Sequence, residues 1–162
     1  MKRLAVAFTG PSNSGKTTLI EKIARELIAQ NNRVKIIKND PKDKAKFDIE
    51  GKDSYKFFQT GADVIVTSPT RTTYFQQSSL EFDELITLAG EFDYLLVEGL
   101  KSLPLPRIAI FRDSLNHDYF EVSDVLAVDE SIDVTELEGL KYIDLNSPLD
   151  AIKWINSNAK KV

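Results

Sequence analysis

A chain of 162 residues, 42% apolar and 28% charged, has an ordinary globular composition and is long enough for one well-buried domain, which excludes a disordered or fibrous chain and argues for a single domain over residues 1–162. Net charge is −4 with no long run of like charges, so broad attraction to nucleic acid or to an anionic membrane has no source, and any bound anion must be held locally. The absence of cysteine excludes a disulfide framework, a thiolate metal site and a cysteine nucleophile, and agrees with a reducing, cytoplasmic setting.

The first ten residues, "MKRLAVAFTG", begin basic and turn apolar as a signal peptide does. The apolar part is only about six residues long and runs straight into a glycine loop, so it reads as a first strand over 4–8. No apolar stretch approaches the ~20 residues that span a bilayer, and a soluble protein with no membrane partner is expected.

Residues 10–18, "GPSNSGKTT", place Gly10, Gly15, Lys16 and Thr17 in the spacing GxxxxGK[ST] of a phosphate-binding loop. Glycine opens backbone dihedrals closed to other residues, so the loop through Ser12, Asn13 and Ser14 can wrap a phosphate and aim successive N–H groups at it. Lys16 supplies a mobile cation for the terminal phosphates and the Thr17 hydroxyl a ligand for Mg2+. The motif demands a buried strand before it and a helix after it. Both are present: Leu19, Ile20, Ile23, Ala24, Leu27 and Ile28 recur at helical spacing, which puts the positive end of a helix dipole behind the anion.

Further apolar runs at 34–37, 64–66, 94–97, 108–111 and 125–128 lack polar alternation, which predicts strands covered on both faces. A last helix starts at Ser147 as cap with Pro148 in its first turn and a stripe of Leu149, Ile152 and Ile155, Trp154 packing beside it. Strands alternating with helices give an α/β fold of the P-loop NTPase kind, a mostly parallel sheet flanked by helices on both faces.

The candidate acids follow from this frame. The strand in "EFDYLLVEGL" ends in Glu98, and strand carboxyl ends face the ligand crevice of such sheets. Glu98 therefore stands where an acid can orient Mg2+ or its water shell, or else is a salt-bridged strand end. Asp93 precedes the strand, at its far end, and is discounted. The segment from Lys38 to Asp63 holds many ionisable groups in a loop too long for idle packing. Asp40 ends the second strand, and Asp48 lies mid-loop, where a switch-type segment would approach the metal. Lys52, Asp53 and Ser54 lead into a short helix with Tyr55 and Phe58; a solvated, capped loop is the alternative. After the run 125–128, Asp129 is the candidate guanine-reading carboxylate, or an ordinary strand-end acid. A lysine in the usual base-reading arrangement is missing. Arg71, Arg107 and Arg112 are placed where they can face a crevice, but no close pair of arginines forms a kinase-type lid.

Taken together, "GPSNSGKTTLIEKI", "KNDPKDKAKFDIEGKDSYKFFQTGAD" and "DYLLVEGLKSLPLPRI" resemble the MobB family, the GTP-binding adaptors of molybdopterin-guanine dinucleotide biosynthesis, over most of the chain through about Arg112. The resemblance implies a weak Mg2+-dependent GTPase, usually a homodimer, that assists the guanylyltransferase MobA as it joins GMP to molybdopterin, with GTP and Mg2+ as cofactors and molybdopterin or its guanine dinucleotide as a further ligand. It assigns the nucleotide grip to Gly10, Gly15, Lys16, Thr17 and Thr18, the metal-facing acid to Glu98, and loop roles to Asp48, Lys52 and Asp53. Family dimers use exposed strands, and "SPTRTTYFQQSS" reads either as such an arm or as a hairpin closed within the monomer. One departure stands out: related sequences often have histidine where Asn39 precedes Asp40. The only histidine here, His117, reads as surface. The alternative from another class is an ATP-dependent small-molecule kinase.

Overall fold

The computed structural model describes residues 1–162 apart from the side chain of Val134. In chain order the elements are β1 (Leu4–Thr9), α1 (Lys16–Ala29), β2 (Val34–Lys38), α2 (Asp53–Phe58), β3 (Val64–Thr67), β4 (Thr72–Phe75), α3 (Phe82–Ala89), β5 (Tyr94–Glu98), β6 (Arg107–Phe111), β7 (Val125–Val128), β8 (Tyr142–Asp144), α4 (Pro148–Asn158) and β9 (Lys160–Lys161). Two short 3-10 turns, His117–Val122 and Val134–Leu137, flank β7. The chain divides into two compact units: Met1–Asn39 with Ala89–Val162, and Asp40–Leu88.

The first unit is a seven-stranded sheet in the order β2-β5-β1-β6-β7-β8, parallel throughout, with β9 antiparallel to the start of β1. Strands β1, β5, β6 and β7 are the most buried, and Val6, Phe8, Leu96, Ile108 and Ile110 are fully buried. One face packs against Leu19, Ile23 and Leu27 of α1 and Ile152 and Ile155 of α4. Each such side chain contributes about 1.5–3 kcal/mol relative to exposure. On the other face Ala109, Phe111, Leu126 and Val128 meet Ile132, Leu137 and the turn residues Tyr119 and Phe120.

Helix α4 begins as its residues predict, with Ser147 Oγ accepting from the Asp150 N–H at 3.2 Å. Leu149 does not join the buried stripe: it is 58% exposed, and Ala151 takes its place beside Ile152 and Ile155. The positions 151, 152 and 155 share one face by i,i+4 geometry, and 149 falls outside it.

The second unit departs from the expected sheet. The run 64–66 was expected as a covered strand, yet β3 pairs antiparallel with β4, Val64 opposite Phe75 and Thr67 opposite Thr72, and Ile65 is 67% exposed. The tight turn at Ser68, whose N–H donates to Arg71 O at 2.9 Å, lets the chain pair with itself at once, whereas a parallel partner needs a long crossover. The segment read as arm or hairpin is thus a hairpin within the chain. Asp63 ties it down, accepting from the Gln77 N–H at 2.8 Å and from Tyr74 OH at 3.1 Å. Phe58 of α2 packs on Phe75, ring centroids 6.2 Å apart.

Candidate nucleotide site

The loop between β1 and α1 is built around its two glycines. Gly10 has φ +138°, and a Cβ there would collide with the carbonyl oxygen of Ile110 on β6. Gly15 has φ +96° and caps α1 with no side-chain hydrogen bond. The N–H groups of the first helical turn, which lack partners within the helix, therefore stay open to an incoming acceptor. Ser14, 5% exposed, holds a buried Oγ with no hydrogen-bond partner on the side of the loop toward Gly10, and neither residue lines the cavity that opens over the loop. Lys16 Nζ folds back on the loop, donating to Gly10 O at 2.9 Å and to Pro11 O. Burial lowers its pKa; the Glu98 carboxylate opposes that shift and the Lys38 ammonium reinforces it.

Glu98 ends β5 opposite Lys38 at the end of β2, and Lys38 Nζ lies 2.9 Å from Glu98 Oε2. The following Gly99 has φ +88°, a backbone conformation that strains other residues, and a Cβ there would press on Asn39 Cβ at 3.0 Å. Behind this turn lies Arg107. It was expected to face the crevice, but it is 1% exposed and its guanidinium donates to four carbonyls, Gly99, Leu100, Lys101 and Leu103, at 3.0 to 3.2 Å. The loop after Glu98 offers more acceptors than its own N–H groups satisfy, and the fork of Arg107 meets them.

A cavity of about 540 Å3 opens over the loop. Ser12, Asn13, Gly15, Lys16, Thr17 and Thr18 line it together with Glu98, as the motif implies, and Arg112 closes another side. Asp129, the candidate base reader, is engaged elsewhere: Oδ2 stands 2.9 Å from Arg112 Nε, and Oδ1 accepts from Ser131 N–H at 3.2 Å and Ser131 OH at 2.5 Å. Hydrogen bonding from Ser131, with Arg112 nearby, holds its carboxyl below the usual range.

The other candidates have local roles. Asp48 lies in the second unit, where Oδ1 accepts from Ile49 N–H at 2.8 Å and Ser54 OH at 3.1 Å. Asp40 closes a turn by accepting from Lys44 and Ala45 N–H, and Lys52 and Asp53 open α2 without a side-chain cap, Asp53 pairing with Lys56 at 3.5 Å. Asp93, at the far end of β5, accepts from Lys2 and Arg33 N–H at 3.0 Å, as a structural acid should. His117 is exposed, its ring 4.6 Å from that of Phe120. Lys38 was not singled out from the sequence; its signal is a lysine closing an apolar strand.

Loop, helix terminus and cation fit the phosphates of a nucleotide, and Thr17 and Glu98 are the groups on hand for Mg2+. Among the described residues no group of three or more His, Cys, Asp or Glu gathers to hold a metal alone. A divalent ion here would share its coordination with phosphate oxygens.

Fold and loop define the class: a P-loop nucleotide-binding protein. The sequence model of one family, MobB, described as "Molybdopterin guanine dinucleotide synthesis protein B", matches residues 5–131, and the chain belongs to that family. It is 34% identical over 134 residues to the molybdopterin-guanine dinucleotide biosynthesis adapter protein of Haemophilus influenzae, covering 76% of this chain and 72% of that one. It is 33% identical to the protein of the same name from Escherichia coli, over 83% of this chain and 87% of that one. The crystal structure of Bacillus subtilis MobB superposes with a TM-score of 0.76 at 25% identity, covering 98% of this chain and 99% of that one.

Proposed function

We propose that the chain is a GTP-binding adaptor of molybdopterin-guanine dinucleotide synthesis, which binds GTP with Mg2+ at the Gly10–Thr17 loop and assists the enzyme that joins GMP to molybdopterin. The observation that supports this most directly is the open, capless N-terminus of α1 beneath a glycine loop, with Lys16 on one side and Glu98 facing it, in a member of this family. Backbone N–H groups and Lys16 would bind the β- and γ-phosphates, Mg2+ would add charge neutralisation, and Thr17 with Glu98 would orient its ligands. The cavity presents no side chain placed as a water-activating base beyond Glu98, which Lys38 already engages. Hydrolysis is therefore slow unless a partner completes the site.

A small-molecule kinase is not favoured. Such an enzyme clamps the transferred group with free arginines. Here Arg107 is spent on loop carbonyls and Arg112 is paired with Asp129. The chain is further proposed to act in the cytoplasm as a homodimer.

The test adds the purified chain to a reaction in which a guanylyltransferase converts molybdopterin to its guanine dinucleotide. Product yield rises with the chain present, and Lys16→Ala removes the gain; no change in yield on adding the intact chain overturns the adaptor reading. Light scattering returns twice the mass of one chain; a single-chain mass removes the dimer.

A further inference from the structure

We propose that Arg112 forms the base-side wall of the nucleotide site, stacking its flat guanidinium on the purine, and that Asp129 positions this guanidinium instead of reading the base. The inference rests on the nucleotide reading above and names a residue that sets how that site holds the nucleoside.

The sheet order puts β5, β1 and β6 side by side. The loop rises from β1, so Glu98 flanks it on one side and Arg112, the residue after β6, on the other. Metal and terminal phosphate belong with Glu98 and Thr17. A phosphate chain starting there crosses the open N–H groups at Gly15 and the first turn of α1, and its nucleoside leaves over the β6 flank. Arg112 stands at that exit: its Nε, Cζ and Nη2 lie 3.6, 3.7 and 3.9 Å from the point a Cβ on Gly15 would occupy. Three guanidinium atoms at nearly one distance place it alongside the loop, lining the cavity, with its side chain 41% exposed.

Asp129 explains how the group is held. A carboxylate that reads guanine offers one oxygen to the ring N–H and the other to the amino group. Both oxygens here already have protein donors, Oδ2 from Arg112 and Oδ1 from Ser131, and the side chain is only 10% exposed. Anchoring Nε fixes the rotation of the guanidinium plane, which leaves a cationic surface suited to the π-face of a base. The phosphates have their own donors in Lys16 and the helix N-terminus, whereas Arg112 is the planar cation that lines the cavity on the β6 flank.

The test is calorimetric titration in Mg2+ of the intact chain and of Arg112→Ala, Arg112→Lys, Asp129→Asn and the Arg112→Ala/Asp129→Asn double variant, each with GTP, ATP and inorganic tripolyphosphate. Arg112→Ala weakens GTP roughly tenfold, the size of a partly desolvated cation–π contact, and leaves tripolyphosphate within about twofold. Arg112→Lys keeps the charge but not the plane and loses as much. Asp129→Asn weakens GTP by about threefold in the intact chain and adds nothing in the Arg112→Ala background, the mark of a residue acting through another. Equal losses for GTP and tripolyphosphate, or recovery by lysine, overturn the proposal by making Arg112 a phosphate cation. A collapse of the GTP-to-ATP ratio in Asp129→Asn that persists in the double variant overturns it by making Asp129 a base reader. An intact chain that binds neither GTP nor tripolyphosphate overturns the nucleotide reading itself, and this one with it.

Discussion

Lys38 and Glu98 face each other across the parallel pair β2–β5, Nζ to Oε2 2.9 Å, so the acid at the crevice is held by a cation before any metal is present. A metal must compete with or share that contact. Glu98→Ala therefore raises several-fold the Mg2+ concentration that gives half-maximal nucleotide binding and changes metal-free binding little. Lys38→Met, which releases the carboxylate, lowers that concentration. A Mg2+ titration at fixed nucleotide checks both, and equal loss with and without metal in Glu98→Ala would make Glu98 a structural strand end.

Lys16 is held in a state that costs stability without ligand. Its folded pKa lies below the ordinary 10.5 because burial disfavours the ammonium. The cost is present in full at neutral pH and fades as pH rises through the folded pKa toward 10.5. Lys16→Met should leave the unliganded thermal midpoint unchanged or higher, while weakening nucleotide by about 3 kcal/mol, roughly a hundredfold, the value of a hydrogen-bonded charge. Thermal shifts with and without GTP separate the two effects; a lower unliganded midpoint with normal affinity contradicts both.

Arg107 is the buried fastener of the loop that follows Glu98. Replacing it with leucine removes the donor to Gly99 O and Lys101 O, while Leu100 O and Leu103 O keep the N–H groups of Leu103 and Leu105, and should destabilise the fold by about 3 kcal/mol. Arg107→Lys restores the charge but not the fork, and recovers less than half. Urea unfolding measures the loss, and a leucine variant within 1 kcal/mol of the parent, the ordinary scale of a surface change, would show that the loop rearranges to water.

Acid weakens the protein through its capping aspartates. Backbone N–H groups of Arg33 and Lys2 depress the folded pKa of Asp93 below 3.8, and Thr135 does the same for Asp133. The stabilisation is complete above pH 3.8 and is lost as pH falls through the lower folded values. Asp93→Asn should flatten the drop in thermal midpoint below that pH. An unchanged acid profile in the variant assigns the drop to other groups.

The loop was legible because its requirements are local: a glycine that must avoid Ile110, a second in a left-handed cap, and a cation one residue on. The runs that became β1, β5, β6 and β7 were legible for a similar reason, since burial on both faces forbids polar residues. Pairing was not. Three apolar residues at 64–66 do not say whether the partner lies in a distant strand or across a four-residue turn, and the turn decided it. Strands as short as β8 and β9 leave no periodic trace. The engagement of Asp129 depends on a residue 17 positions earlier, and that of Arg107 on the fold of its own loop, neither of which a local pattern encodes.

A GTP site on the Gly10–Thr17 loop is tested by side-by-side calorimetric titration of the purified chain with GTP and ATP in Mg2+. Saturable binding with a clear preference for GTP is expected; preference for ATP, or no saturable binding of either nucleotide, rules the site out.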